Sequence, residues 1–208
     1  MISLSLEKKL LKNGEALVIG MDEAGRGPLA GPVAVGAVVF NLEFLKQKTP
    51  ETNWWRLVND SKKLSAKQRE KLYKYIKQNF VFAVGMESSK VIDKIGINGA
   101  IEKAAKKALK KIGTKSGLML VDGVRPFIKD KDFNQRLFKR GDSLVFTIAC
   151  ASIMAKVERD IFMKKSHRKW PSYNFTKNKG YGTAHHLKTI QEVGPCPLHR
   201  FSFAPLKQ

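Results

Sequence analysis

The sequence is poor in cysteine and acids and has no long apolar run. Cys150 and Cys196 are the only thiols in 208 residues, too few for a disulfide framework and without metal-ligand spacing. Such usage fits free thiols in a reducing compartment. No apolar run approaches the roughly 20 residues that a bilayer helix needs. Met1 to Leu17 contains no signal-peptide apolar segment, so a soluble, cytoplasmic chain is expected. There are four histidines. His185 and His186 are adjacent, which denies them the spacing of a helical zinc pair, and His167 and His199 stand alone. Structural roles are expected for all four. The chain also lacks a Gly-x-Ser-x-Gly elbow, a Walker-type loop and a dinucleotide fingerprint, which removes the chemistries those motifs carry. Acids are outnumbered: 18 Asp and Glu face 39 Lys and Arg, a formal net charge of +21. That excess points to a polyanionic partner, most simply nucleic acid. A thermophile-type charged surface explains it only in part, because such surfaces carry Glu in similar numbers.

Against that basic background, four acids stand out by position. An apolar run, Leu17 to Met21, stops on Asp22 and Glu23, followed by Gly25-Arg26-Gly27. A buried strand has no reason to end on unpaired charges unless a cation sits there. Asp122 ends the run Leu118 to Val121, and Asp142 precedes Leu144-Val145-Phe146. Carboxylates without His or Cys suit a hard divalent cation, Mg²⁺ or Mn²⁺. Two such ions about 4 Å apart would clamp a phosphodiester. Each acid taken alone is as well explained by turn or helix capping; the four together in so basic a chain are not. Asp160 shares a helix face with Ser152 and Lys156, and a salt bridge to Lys156 or Lys164 is its simpler reading.

Several residues suit phosphate or sugar. Gly25, Arg26 and Gly27 offer bare backbone and one guanidinium. Lys62 and Lys63 precede a helix N-terminus. Ser152 and Lys156 form a polar pair on an otherwise apolar helix. Tyr181 lies between glycines in Lys179-Gly180-Tyr181-Gly182-Thr183, free to stack on a sugar or base or to pack the last helix onto the sheet.

The hydropathy pattern predicts a lead-in helix or arm over Ser3 to Asn13. Strands follow at Ala16 to Met21 and Pro32 to Phe40, antiparallel because so short a loop joins them. Asn41 to Asn59 is a polar excursion. Ser65 caps a helix to Asn79, Phe80 to Met86 is a strand, and Gly99 to Ile112 is an amphipathic helix. Leu118 to Val121 and Ser143 to Ala149 are the last two strands. A helix from Ala151 to Lys165, a polar loop to Gly182 and a Thr183-capped helix to Val193 complete the chain. The expectation is one α/β domain over residues 1–208, with a mixed five-stranded sheet flanked by helices within residues 16–150. Residues 151–208 then form a helical and loop extension that contacts substrate.

These blocks together resemble the ribonuclease HII family, the type 2 ribonucleases H. The resemblance runs through Gly20 to Val33, Asp60-Ser61-Lys62-Lys63-Leu64-Ser65, Val121-Asp122-Gly123 and Gly141-Asp142-Ser143. It continues over Ala151 to Asp160, Lys179 to Thr183 and the tail His199 to Phe203. Cys150, Arg140, Asn174 and Asn178 depart from residues common in the family. Because the first block starts near residue 18, type HII is expected rather than ribonuclease HIII with its N-terminal substrate-binding domain. The resemblance implies a ribonuclease H-like fold and catalytic, metal-holding roles for Asp22, Glu23, Asp122 and Asp142. It implies that Gly25, Arg26 and Gly27 read the ribose 2′-hydroxyl and adjacent phosphate, and that Tyr181 packs on the deoxyribose after the ribonucleotide. The implied enzyme is a monomeric, metal-dependent endonuclease acting on RNA–DNA hybrids and on ribonucleotides embedded in duplex DNA. It would cut on the 5′ side of the ribonucleotide, leaving 3′-hydroxyl and 5′-phosphate ends. The rival readings are a DNA-junction nuclease of similar fold and a non-catalytic basic nucleic-acid binder.

Overall fold

The computed structural model describes residues 2–43, 50–129, 131 and 133–207. Part of the Asn41–Asn59 excursion, residues 44–49, lies outside the described residues. Five strands form one sheet in the order β3-β2-β1-β4-β5. They are β1 (Val18–Ala24), β2 (Val33–Val39), β3 (Phe82–Glu87), β4 (Gly117–Asp122) and β5 (Phe133–Phe138). β1 and β2 are antiparallel, as the short connection requires, and so are β2 and β3. β4 and β5 run parallel to β1.

The described residues also form six α-helices: α1 (Ser5–Lys12), α2 (Ala66–Asn79), α3 (Ser89–Ile112), α4 (Phe146–His167), α5 (Phe175–Asn178) and α6 (Ala184–Val193), with short 3₁₀ helices between some of them. Ser65 caps α2 in a capping box with Gln68, and Thr183 caps α6 by accepting the His186 N–H, both at the expected places. α3 begins ten residues before the expected Gly99 and kinks at Gly96. One apolar layer buries Ile101, Ala104 and Ala108 of α3 against Val35, Met119 and Val121. The other buries α4 with α1 and α2 against Val18, Val38 and Leu120. α4 lies unusually near the sheet. A Cβ on Gly20 would come within 2.2 Å of the Thr147 main chain, and one on Gly36 within 2.2 Å of the Ala151 carbonyl. Only glycine admits that approach. Among the described residues no helix is long and apolar enough to cross a membrane.

The expected strand over Ser143–Ala149 is wrong. Phe146 onward is the first turn of α4, and every residue from Val145 to Ala155 is buried. A helix buried on all sides loses its amphipathic period, so a short apolar run looks the same as an interior strand. The fifth strand is instead Phe133–Phe138, a polar edge strand with an interrupted burial pattern. Asp142 therefore sits in a 3₁₀ turn, Gly141–Ser143, that leads into α4 rather than into a strand. α1 braces that junction: buried Glu7 accepts the Thr147 N–H at 2.9 Å and its hydroxyl at 3.1 Å.

Candidate active site

β1 extends past Met21, so Asp22 and Glu23 lie within the strand, on opposite faces. Met21 is paired with Val121 in parallel β4, and both strands continue into an aspartate, Asp22 and Asp122. Asp22 is buried. Its Oδ1 accepts the Glu23 N–H at 2.7 Å. Burial, with the charges of Glu23 and Asp122, pushes Asp22 well above the usual carboxylate range, against the pull of a hydrogen bond from Ser152. Asp122 Oδ1 accepts the Gly141 N–H at 2.6 Å, which ties the end of β4 to the turn that carries Asp142. Asp142 is buried too, and burial, then Asp60 and Asp122, raise it.

The Asp60-Ser61-Lys62 turn closes over these acids. Ser61 Oγ and Ser152 Oγ are 2.8 Å apart, so a hydroxyl pair links the turn to Asp22. Arg69 Nη1 donates to the Ser61 carbonyl at 2.7 Å and to that of Leu64. Lys62 Nζ lies 3.9 Å from Asp142 Oδ2. Burial pulls Lys62 down, but Asp142, Asp22, Asp60 and Asp122 together carry it above its ordinary value. Lys63 is exposed and has no ion pair among the described residues. Asp60 was not among the expected site residues, although it stands next to them in sequence. Its side chain faces Asp142 while also accepting the Lys62 N–H at 2.9 Å.

The glycine–arginine loop is held from beneath by two buried guanidiniums that sequence reasoning missed. Arg159 donates to the carbonyls of Pro32, Lys179 and Ala30 at 2.9–3.1 Å. Arg200 donates to those of Gly25, Arg26, Gly31 and Pro32 at 2.6–3.1 Å. Gly25 has φ +92°, and a Cβ there would meet Arg159 Nε at 2.1 Å. Gly27 is different: its φ is ordinary and a Cβ would touch nothing within 4 Å. Nothing in the chain itself requires glycine at position 27. Arg26 is exposed and bridges Glu23 Oε1 at 3.0 Å and Asn98 Oδ1 of α3 at 2.9 Å. Two lone arginines, one on a helix and one in a tail, give no sequence signal that they meet under one loop.

Tyr181 is 44% exposed, and Lys156 Nζ and Arg159 Cζ each lie 5.9 Å from its ring centre. Its loop docks on the glycine–arginine segment through the Gly180 carbonyl, which accepts the Leu29 and Ala30 N–H groups. Lys156 pairs with Asp160 at 2.8 Å, the simpler of the two readings of that acid. His186 and His199 are structural, and His199 is not isolated in space. Its Nε2 lies 3.0 Å from His186 Nε2, and His186 Nδ1 lies 2.8 Å from the Tyr181 carbonyl. Burial lowers both rings, His199 to about 4.

The structure thus places Asp22, Glu23, Asp122, Asp142, Lys62 and Ser152 around one end of β1 and β4, with Arg26 and Tyr181 on loops beside it. As they stand, no three His, Cys, Asp or Glu side chains among the described residues converge closely enough to hold an ion. Glu23 is engaged by Arg26 and Asp142 faces Lys62.

A family model described as Ribonuclease HII matches residues 19–206. The chain belongs to the ribonuclease HII family. Ribonuclease HII of Caldicellulosiruptor bescii is 45% identical over 199 residues, 95% of this chain and 91% of that one. Ribonuclease HII of Syntrophus aciditrophicus is 43% identical over 199 residues, 95% of this chain and 88% of that one. The family is one of endonucleases, so the chain is an enzyme. Among solved structures, ribonuclease H2 from Pyrococcus horikoshii matches with a TM-score of 0.72 at 24% identity, covering 91% of this chain and 95% of that one. Bst-RNase HIII in complex with Mn²⁺ matches at 0.69 and 18% identity, covering 93% and 69%. These likenesses establish the ribonuclease H fold.

Proposed function

We propose that this ribonuclease HII family member hydrolyses the RNA strand of RNA–DNA hybrids and cuts on the 5′ side of ribonucleotides embedded in duplex DNA. The products would carry 3′-hydroxyl and 5′-phosphate ends, and the whole chain would act as one catalytic unit. One observation carries the proposal: a buried carboxylate, Asp22, opposed by the like charges of Glu23 and Asp122, lies within five residues of Gly27, where a side chain is missing for no reason internal to the chain. The acids fit a cation, since the burial and neighbouring like charge that raise Asp22 and Asp142 are relieved by one. The open backbone at Gly27 fits a substrate that comes close.

Asp22, Glu23, Asp122 and Asp142 would hold Mg²⁺ or Mn²⁺, a donor set of oxygens alone. When bound, a pair of such ions supplies an activated water and neutralises charge on the phosphodiester. Ser152 orients Asp22 by its hydrogen bond and is in turn fixed by Ser61. Gly25, Arg26 and Gly27 present backbone and guanidinium to the ribose 2′-hydroxyl and its phosphate, the group by which a protein tells RNA from DNA at one site. Arg26 must release Glu23 to do so and keeps Asn98 as its second anchor. Lys62 and Lys156 add charge for the phosphates on either side, Lys63 adds to the surrounding field, and Tyr181 packs against the deoxyribose that follows the ribonucleotide.

The deciding experiment is cleavage of a duplex with one embedded ribonucleotide beside an all-DNA duplex, with and without divalent metal. A single metal-dependent cut 5′ of the ribonucleotide is expected, and none in all-DNA. Equal cutting of both duplexes would make the chain a DNA nuclease, and binding without cutting would make it a non-catalytic binder. Asp122→Asn is expected to abolish cleavage while duplex affinity stays or rises, because a charge that repels phosphate is gone.

A further inference from the structure

A cleft of about 600 Å³ opens between α2 and α4, bordered by the segment from Lys177 to Tyr181. Its apolar lining comes from Tyr73, Val157 and Ile161, and its rim is cationic. The two acids on the rim are already engaged. Glu70 pairs with Lys164 at 3.1 Å and Asp160 with Lys156 at 2.8 Å. Lys74, Lys177 and Lys179 have no acid within salt-bridge distance among the described residues. Lys179 is half-buried, with Asp160 as an opposing charge and Lys164, Lys156 and Arg159 as like-charged neighbours, so positive charge outnumbers negative around it.

An apolar lining under three ammonium groups outside any ion pair among the described residues matches the chemistry of a nucleotide, with phosphates for the rim and sugar and base surface for the lining. Tyr181 and Lys156 belong both to this cleft and to the candidate site, so a strand that passes Tyr181 is led directly into it. We propose that the cleft between α2 and α4 seats the strand continuing past Tyr181, on the 3′ side of the ribonucleotide. It is a flank-binding subsite that makes affinity depend on the length of duplex on that side. The inference rests on the nuclease reading and on the placement of Tyr181 at the nucleotide after the ribonucleotide.

The test uses two duplexes of equal length with one embedded ribonucleotide. One has a long 3′ flank; the other is trimmed to the nucleotide after the ribonucleotide and lengthened on the 5′ side. Binding is measured by fluorescence anisotropy in EDTA for the wild type and for the double variant Lys74→Glu, Lys177→Glu, both exposed positions. On the long-3′-flank duplex, Kd is expected to rise roughly tenfold and the salt slope to fall by about 1.8, the value for two lost phosphate contacts. On the trimmed duplex the change stays below about twofold. An equal change on both duplexes, or dependence on the 5′ flank instead, overturns the subsite. Wild-type cleavage of both duplexes in Mg²⁺ reports separately on the nuclease reading. Flank-dependent binding without any cleavage would keep the subsite and remove the reaction.

Discussion

Replacing Arg200 with methionine removes a guanidinium that solvent does not reach and that donates to four main-chain carbonyls of the glycine–arginine loop. The loss is not the sum of all those bonds. The Pro32 carbonyl keeps Arg159, and the carbonyl of exposed Arg26 turns to water. The carbonyls of Gly25 and Gly31 lose a charged donor with solvent excluded. At about 1–3 kcal/mol for each buried group left unsatisfied, the cost is roughly 2–6 kcal/mol. Relief of the buried charge offsets part of it, for burial already pulls Arg200 down to about 9. A net loss of about 3 kcal/mol lowers the unfolding midpoint by roughly 6–12 °C in a chain of this size. Thermal unfolding by circular dichroism at neutral pH measures it. The same variant should lose affinity for a ribonucleotide-containing duplex below its new midpoint, because the Arg26 backbone is no longer held. A midpoint within about 2 °C of wild type, less than 1 kcal/mol, would refute the bracing role of Arg200.

Asp22→Asn should end cleavage yet stabilise the metal-free protein. A carboxylate whose folded value is raised costs stability near neutral pH, and its removal should lift the midpoint in EDTA by at least about 2 °C, with a drop ruling out the burial argument. His199 has its folded value lowered from 6.5 to about 4, so the unfolded chain takes the proton first. Stability is therefore whole above about pH 6.5 and is lost as the pH falls toward 4, by about 3 kcal/mol in all. His199→Gln should flatten that part of the denaturation profile, and an unchanged slope between those limits would place the titration elsewhere. Tyr181→Ala should weaken cleavage at a single embedded ribonucleotide, measured as kcat/KM; an unchanged value would return Tyr181 to a packing role.

The local devices were legible in the chain because they are made by neighbours in sequence. The Ser65 and Thr183 caps need only a hydroxyl and an N–H three residues on, and the antiparallel β1–β2 pair follows from the length of the loop between them. The family was legible too, since its motif blocks are short and contiguous. The failures have a common origin in burial. The start of α4 reads as a strand in the sequence because a helix enclosed on all sides shows no period, and β5 gives no strand signal because an edge strand can be polar.

The sequence by itself determined the acids at the ends of β1 and β4, the glycine-flanked Arg26, and the excess of positive charge. Tertiary structure alone decided how they are held. Arg159 and Arg200 stand 41 residues apart, yet meet under one loop. Ser61 reaches Ser152, Asp60 faces Asp142, Arg26 finds Asn98, and two histidines join behind Tyr181. Each is a single polar group satisfied by a partner far away in the chain. A buried donor or acceptor demands a partner but leaves no pattern in sequence to say which one it will be.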